Sequence, residues 1–405
     1  MYRLTNARLK AEDYRIAIER LTLFPRDSLE RSRGLTPSHT FESSFDLYDD
    51  PDNWESIVTG AGSTSTRDND GSFYNLTVAN TSGRVVRQTR VSMPSSVASA
   101  RTIFVSLTPF VSAFSATNYT IRTGCFDNAA DKISGRISGD GHFLQYAGGL
   151  WSVVRRSSAG TGGSQVDTVV NQSSWNCDKL DGTGPSAYTL SATAPMALVI
   201  EEGPTNTNGD CRMGVVIDGL TIWAHHFLPT GNRPALKTQR LPIRYEITCT
   251  GAGVTSSAAS LYQIGCACFI DSPTESTRTF TRTTSARVFA TDTPVLAIRA
   301  QAQSNRCRLR IRSITVRPLT VNDANRVLVR TIVNPSTLTG SSYTAVSSSG
   351  FEVDVAATAV SGGTEFNNGS YGCSIAGTPD VVVVVARALT GGALDCAVAI
   401  EWTES

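Results

Sequence analysis

The chain has 405 residues, a formal net charge of +1 and only 18% charged residues, below the quarter or so that is usual for soluble globular proteins. Its 36 basic and 35 acidic side chains leave no excess of positive charge, which argues against bulk binding of nucleic acid. The 40% of hydrophobic residues suffices for a buried core, and the length suits two or three domains.

Residues 6 to about 24 have helical rather than strand character. Leu9, Ile16 and Leu23 recur at helical spacing, and Pro25 ends the run. The segment lacks the apolar stretch of a secretory signal, and no later run reaches the roughly 18 apolar residues that span a bilayer. We therefore predict an amphipathic anchor helix, packed on its own body or on a neighbouring surface, in a protein made in a cytoplasm.

From Phe41 onwards, apolar and polar residues alternate in short segments separated by Gly, Asn, Asp and Ser. This period of two, without a further amphipathic helix, predicts an all-β chain of antiparallel strands in a sandwich or lectin-like jelly roll. Asp218-Gly219 is the pair expected in a tight hairpin turn. The predicted strands lie in SFYNLTVAN, RVVRQTRVSM, RTIFVSLTPF, LWSVVRRSS, MALVIEE, RMGVVIDGLTIWAHHF, LPIRYEITCT, PVLAIRAQ and CRLRIRSITVRPL.

A second β-rich region follows Pro318. It contains about five further strand patterns, and roughly 85 residues suffice for a small sandwich. The patterns are RVLVRTIV, SSYTAVSSS, FEVDVAATAV, DVVVVVARAL and DCAVAIEW. We place a boundary at 318–322 and predict an N-terminal helical anchor at 1–34, a main sandwich or jelly-roll domain at 35–318, and a small C-terminal sandwich at 319–405.

The nine cysteines are odd in number and widely spaced, which argues against a disulfide framework. Cys266 and Cys268 alternate along a predicted strand, so both thiols face one side. They are either half of a zinc site or small buried hydrophobes. Without a second ligand pair at suitable spacing, we favour burial.

Residues suited to catalysis are sparse. His225 and His226 are adjacent on a predicted strand and point to opposite faces, so without a bulge they cannot share a metal, and either could pair with Asp218 across the hairpin. Glu201 and Glu202 also face apart, which does not suit the carboxylate pair of a glycosidase. The sequence has no nucleophile elbow, phosphate loop or HExxH motif. We predict a non-enzymatic protein without a cofactor or a metal site.

Two Asp-rich segments, 67–71 and 178–182, remain as candidate sites. Each could hold Ca²⁺, but neither has the full alternating Asp pattern with a distal Glu. Asx turns explain them equally well, and we favour turns. A glycosidase, the remaining enzymatic alternative, would have to use Asp178 or Asp181.

The most specific part of the sequence is an ordered series of motifs: CFDN, LWSVVRRS, QSSWNCDKLDGTGPS, MGVVIDG, HHF and LPIRYEI. The series resembles a group of virion structural proteins of aquatic tailed phages and large DNA viruses of algae and protists. In that group a WN-DKLDGTG-SG turn precedes a VIDG…H-F hairpin and an LP-RYEI strand. The resemblance covers roughly residues 84–317, and the terminal IEWTE is also similar. Cys177 and Ala187 depart from the pattern, and the group's QWLGVGRVR stretch is represented only by GDCRMG.

The resemblance implies a capsid-associated or fibre-like location and defines no functional residues. We expect a homo-oligomer, most simply a trimer, that contacts other virion proteins through its N-terminal helix and binds neither nucleic acid nor membrane. The alternative is a carbohydrate-binding module for host attachment, with Trp151, Trp175 and His226 as its glycan platform. We favour burial for Trp175, which would then hold the DKLDGTG loop on the sandwich.

Overall fold

The structure is a computed structural model that describes residues 38–404, apart from 45–49, 52, 69, 79–81, 91, 94–99, 110–117, 132–138, 161–162, 204–209, 229–234, 239, 252–257, 272–277, 302–308, 321–325, 348, 350, 366–370 and 390–391. The predicted anchor helix, with Leu9, Ile16 and Leu23, lies outside the described residues. No helix within them is long and apolar enough to cross a membrane.

The described residues form 26 β-strands and only short helical turns. The strands are β1 (Ser38–Ser44), β2 (Trp54–Thr59), β3 (Thr64–Asp68), β4 (Phe73–Val78), β5 (Gly83–Thr89), β6 (Arg101–Thr108), β7 (Tyr119–Phe126), β8 (Gly141–Ala147), β9 (Leu150–Ser157), β10 (Val166–Asn171), β11 (Met196–Glu202), β12 (Cys211–Ile217), β13 (Leu220–Phe227), β14 (Ile243–Cys249), β15 (Ala259–Ile270), β16 (Arg278–Val288), β17 (Thr293–Ala300), β18 (Leu309–Pro318), β19 (Val327–Val333), β20 (Thr337–Thr339), β21 (Tyr343–Ala345), β22 (Phe351–Asp354), β23 (Ala359–Ser361), β24 (Thr364–Glu365), β25 (Val381–Ala388) and β26 (Leu394–Glu404).

Two antiparallel sheets form a first unit. One has eight strands in the order β13-β12-β11-β6-β15-β4-β3, with β1 paired to β15, and the other has seven in the order β10-β9-β8-β7-β14-β5-β2. Because side chains alternate along a strand, each sheet turns one apolar face inward. These faces share one core, which includes Leu76, Ile103, Tyr119 and Ile247. The predicted all-β sandwich is confirmed.

A second unit contains β16 to β26 and has its own core around Val288, Ile298, Val384 and Trp402. Its sheets have the orders β16-β26-β18, β21-β22-β17-β25-β19-β24 and β20-β23. The predicted boundary at 318–322 falls inside this unit, because β16 and β18 pair with β26, and β17 pairs with β25. Pairing therefore changes from one unit to the other between β15 and β16, and the strands at 278–318 belong with the C-terminal sheets.

The hairpin between β12 and β13 has the predicted two-residue turn. Asp218 has φ = 50° and Gly219 has φ = 76°. Both values lie in the left-handed region that a type I′ hairpin turn requires. The turn prediction is confirmed.

Polar contacts join the two units. The Arg90 guanidinium lies 2.7 Å from the Asp380 carboxylate, and the backbone N–H of Ile375 donates to Glu55 at 2.9 Å. Glu55 lies on β2, an edge strand of the seven-stranded sheet, and Arg90 directly follows β5, the strand paired with β2. The second unit is therefore bonded to this edge of the first.

Candidate functional site

The segment between β10 and β11, which carries the DKLDGTG motif, is bonded to the β12–β13 hairpin. Trp175 is 4% exposed, and its indole N–H donates to the carbonyl of Val170 at 3.1 Å. The Asn176 side chain donates to the carbonyl of His226 at 2.9 Å and accepts from its N–H at 2.8 Å. The predicted burial of Trp175 is confirmed, and together with Asn176 it holds this loop on the sandwich.

The Asp-rich segments are turns, as predicted. Their carboxylates accept hydrogen bonds from backbone N–H groups of their own loops, which is Asx-turn chemistry. The bonds run to Asp178 from Leu180 (2.8 Å) and Ser186 (2.7 Å), to Asp181 from Thr183 (2.9 Å), and to Asp68 from Asp70 (3.0 Å) and Gly71 (2.8 Å). The Asp178 carboxylate is thus used in shaping the loop.

The predicted glycan platform needs correction. Trp151 is 5% exposed and packs edge-on against Tyr146, with ring centroids 4.7 Å apart, and Trp175 is equally buried. A sugar stacks on an open ring face, which neither indole offers. Of the three predicted residues, only His226 is partly exposed, and its Nε2 lies 2.7 Å from Asp210.

The histidine pair adopts the predicted opposite orientations. His226 lies opposite Arg212 on the outer face of the eight-stranded sheet, whereas His225 lies opposite the core residue Met213. A bulge is present, but it falls before His225, so the two rings still alternate. Burial lowers the pKa of His225 to about 4, and the neighbouring His226 and Arg155 add to the effect.

The predicted pairing of these histidines with Asp218 is not observed. Asp218 lies in the turn, at the opposite end of β13 from the histidine pair. Asp210, at the start of β12, is the carboxylate that reaches His226.

The adjacent glutamates face apart, as predicted. Glu201 points outward, where Arg212 donates to it at 2.9 Å, and the same guanidinium lies 4.5 Å from the centroid of the half-buried Trp223 ring. Glu202 points into the sandwich. The Cys266 and Cys268 thiols are also buried in the core, which confirms the interpretation that they are small hydrophobes.

The outer face of the seven-stranded sheet carries a buried group of ion pairs that the sequence did not reveal. We call Arg84, Arg122, Arg244, Asp131 and Glu246 the arginine–carboxylate cluster. The guanidinium of Arg244 lies 2.6 Å from both carboxylates, Arg84 lies 2.6 Å from Asp131, and Arg122 lies 3.0 Å from Glu246. Burial alone would raise the pKa of Glu246, but the three guanidinium groups outweigh it and hold that pKa well below its usual range.

A second polar group lies inside the sandwich. The Glu202 carboxylate accepts from Arg101 Nε at 2.9 Å through one oxygen and lies 2.9 Å from His142 Nδ1 through the other. All three side chains are buried. Burial would raise the pKa of Glu202, but Arg101 and His142 lower it to about 2. Cys211 lies beside them, and burial raises the pKa of its thiol.

No protein-family model matches the sequence, and no curated protein matches it significantly. Among solved structures, an endo-1,3-β-glucanase from Streptomyces sioyaensis has 12% identity and a TM-score of 0.38, covering 58% of this chain and 97% of its own. The legume lectin-like domain from Entamoeba histolytica has 8% identity and a TM-score of 0.32, with coverages of 56% and 95%. The exoplasmic/lumenal domain of VIP36 has 10% identity and a TM-score of 0.34, with coverages of 57% and 90%. Similarities of this size carry no argument about function.

Proposed function

We propose that the chain is a structural component of a virus particle, built from two β-sandwich units that associate with copies of themselves. The observation that carries the proposal is that the polar residues of the virion-like motif series form structural hydrogen bonds and ion pairs. Asn176 and Asp178 hold the DKLDGTG loop, and Arg244 and Glu246 of the LPIRYEI strand form the centre of the arginine–carboxylate cluster.

Tyr245 of the same strand supports this interpretation. Its side chain points into the sandwich, and its hydroxyl donates to the carbonyl of Gly265 on β15 at 2.9 Å, which joins the two sheets. The motif residues therefore maintain the shape of the unit. A protein that works through shape and mutual contact, as a capsid-associated or fibre-type protein does, needs this use of its polar groups.

Incorporation into particles tests the proposal. An antibody raised against the purified chain is expected to label intact particles from the virus that encodes it, and peptides of the chain are expected in their mass spectrum. A chain lacking residues 1–34 should fold, by circular dichroism, and fail to incorporate. Absence of the full chain from purified particles would refute the structural role, and normal incorporation of the truncated chain would refute the anchor.

The oligomeric state is a separate expectation. Light scattering on the purified full chain is expected to give the mass of a homo-oligomer, with a trimer as the simplest case. A monomer at all concentrations would contradict assembly through self-association.

Carbohydrate binding for host attachment is the second candidate, and the outer face around Trp223 favours it. The half-buried indole lies beside Arg212, and His226 is on the same face, so an aromatic surface adjoins hydrogen-bonding groups. Glycan-array binding should then fall for Trp223→Ala and His226→Ala but not for Leu220→Ala, an exposed control on the same strand. An array without signal for the full chain would exclude this candidate.

A further inference from the structure

Three potential metal ligands meet inside the first unit. His142 comes from β8 of the seven-stranded sheet, and Glu202 and Cys211 come from β11 and β12 of the eight-stranded sheet. One donor atom from each lies within 4.8 Å of the others, and all three residues are buried. Because the ligands come from both sheets, a bound ion would tie the sandwich together across its interior.

The imidazole of His142 gives an independent sign of a missing ligand. Its Nδ1 is bonded to Glu202, whereas its Nε2 is buried without a hydrogen-bond partner among the described residues. Leaving a buried polar atom unsatisfied costs about 1–3 kcal/mol, so such atoms are rare in folded proteins and often mark a bound water or ion.

We propose that His142, Glu202 and Cys211 bind one thiophilic divalent cation of the zinc class. Imidazole nitrogen, thiolate sulfur and carboxylate oxygen are the ligand types that zinc uses, whereas calcium and magnesium take oxygen ligands. If the ion binds at Nε2, Glu202 keeps its bond to Nδ1 and orients the imidazole without contacting the ion, which is the carboxylate–histidine–metal arrangement. If it binds at Nδ1, the ion replaces that bond and Glu202 becomes a direct ligand. The Cys211 thiol loses its proton to solvent as the sulfur–metal bond forms.

The charges around the cluster constrain the ion. One thiolate and one carboxylate neutralise a divalent cation, while Arg101 remains on the other oxygen of Glu202. Arg155 on β9 is paired with His142 on β8, and its Nη1 is buried without a hydrogen-bond partner among the described residues. This further positive charge opposes any cation that lacks the thiolate, which makes Cys211 the decisive ligand. It also defines the competing occupant, an anion held between Arg155 and a protonated Nε2.

A metal at this site would also cross-link the two sheets of the first unit, in place of a disulfide. Cys211, like Cys125 and Cys249 of the same core, is a free thiol. The ion is inaccessible in the folded unit, so it must enter during folding.

Metal analysis of the refolded full chain tests the proposal. We expect one equivalent of zinc after refolding with zinc and removal of excess, and a thiolate-to-metal charge-transfer band in the near ultraviolet after refolding with cobalt. Cys211→Ser should abolish both signals. Cys249→Ser is the matched control, because it removes an equally buried thiol from the same core at the end of β14, and it should retain both.

If Cys211→Ser does not fold, the unmodified chain still tests the proposal, because its cobalt charge-transfer band reports a thiolate–metal bond without any variant. A refolded wild-type chain with neither zinc nor the band overturns the proposal, as does a folded Cys211→Ser variant that keeps one equivalent. Stabilisation by bromide, with bromide located at Arg155 in a crystal and no metal bound, would also overturn it by assigning the site to an anion.

Discussion

Replacing Glu246 by glutamine would show how much the arginine–carboxylate cluster stabilises the first unit. The change keeps the side-chain volume and removes the charge shared by Arg84, Arg122 and Arg244. Arg244 is fully buried and, among the residues that the structure describes, would keep Asp131 as its one carboxylate partner. Removing one member of a buried ion pair costs about 3–5 kcal/mol. Because Arg84 and Arg122 are each about a quarter exposed and partly screened, we expect a loss near the lower end, about 3 kcal/mol.

Urea unfolding followed by tryptophan fluorescence measures this loss. Four of the five tryptophans, at 54, 151, 175 and 223, lie in the first unit, so its transition dominates the signal, and Trp402 reports the second unit. Glu42→Gln is the control, because its side chain is 66% exposed and a surface change of this kind should alter stability by about 0.5 kcal/mol at most. A loss below about 1 kcal/mol for Glu246→Gln would refute the argument that the cluster is stabilising, since that is the range of an exposed pair.

Two further predictions use the same urea assay, and a third uses the melting temperature. Tyr245→Phe should cost about 1–2 kcal/mol, because it removes the hydroxyl that joins the sheets and leaves a partly buried carbonyl short of a partner; no change would show that the bond contributes nothing. Gly219→Val should cost about 1–2 kcal/mol or more, since a β-branched residue must adopt a left-handed conformation, whereas Leu220→Thr, outside the turn, should cost less. The folded pKa of Glu202 is about 2 and that of Glu246 is also depressed, so both stabilise the fold above their unfolded pKa of about 4.3 and lose this contribution as the pH falls towards 2. The melting temperature should therefore drop through this window, and less steeply in Glu246→Gln; a parallel drop in both proteins would contradict the assignment.

The strands and the tight turn were predictable because they depend on local pattern. Alternation in VVIDGLTIW, with Asp218-Gly219 between its halves, is sufficient to predict a type I′ hairpin. The same alternation placed Cys266 and Cys268 on one buried face. Strand β16 was missed because its sequence, RTFTRTTSARV, is rich in Thr and Arg and has no apolar period, although β-branched threonine suits a strand.

Partners distant in the sequence were not predictable. Arg101 and Glu202 are 101 residues apart, and Arg84 and Glu246 are 162 apart, so no local spacing signals either pair. The domain boundary failed for the same reason. Alternation in β18 predicts a strand but does not indicate which sheet the strand joins, and its partner β26 ends the chain. The one local signal for the arginine–carboxylate cluster was the spacing of Arg244 and Glu246. They are two residues apart on β14, so their side chains must lie on the same face of the sheet.

The proposed metal site and the virion-like motifs depend on different residues, and Cys211 is the ligand that lies outside the motifs. Asn176, Asp178, Arg244 and Glu246 belong to the stretches on which the proposed resemblance to the virion group is based, and each holds a loop or a sheet. Cys211 belongs to GDCRMG, one of the places where this chain departs from that pattern. The sandwich held by these motif residues is therefore expected in other proteins with the same motifs. The proposed metal additionally requires the thiolate of Cys211, which lies in the divergent GDCRMG stretch. A protein with the same motif series and no cysteine at this position should fold into the same sandwich and take up no zinc on refolding, and a full equivalent in such a protein would show that the thiolate is not the decisive ligand.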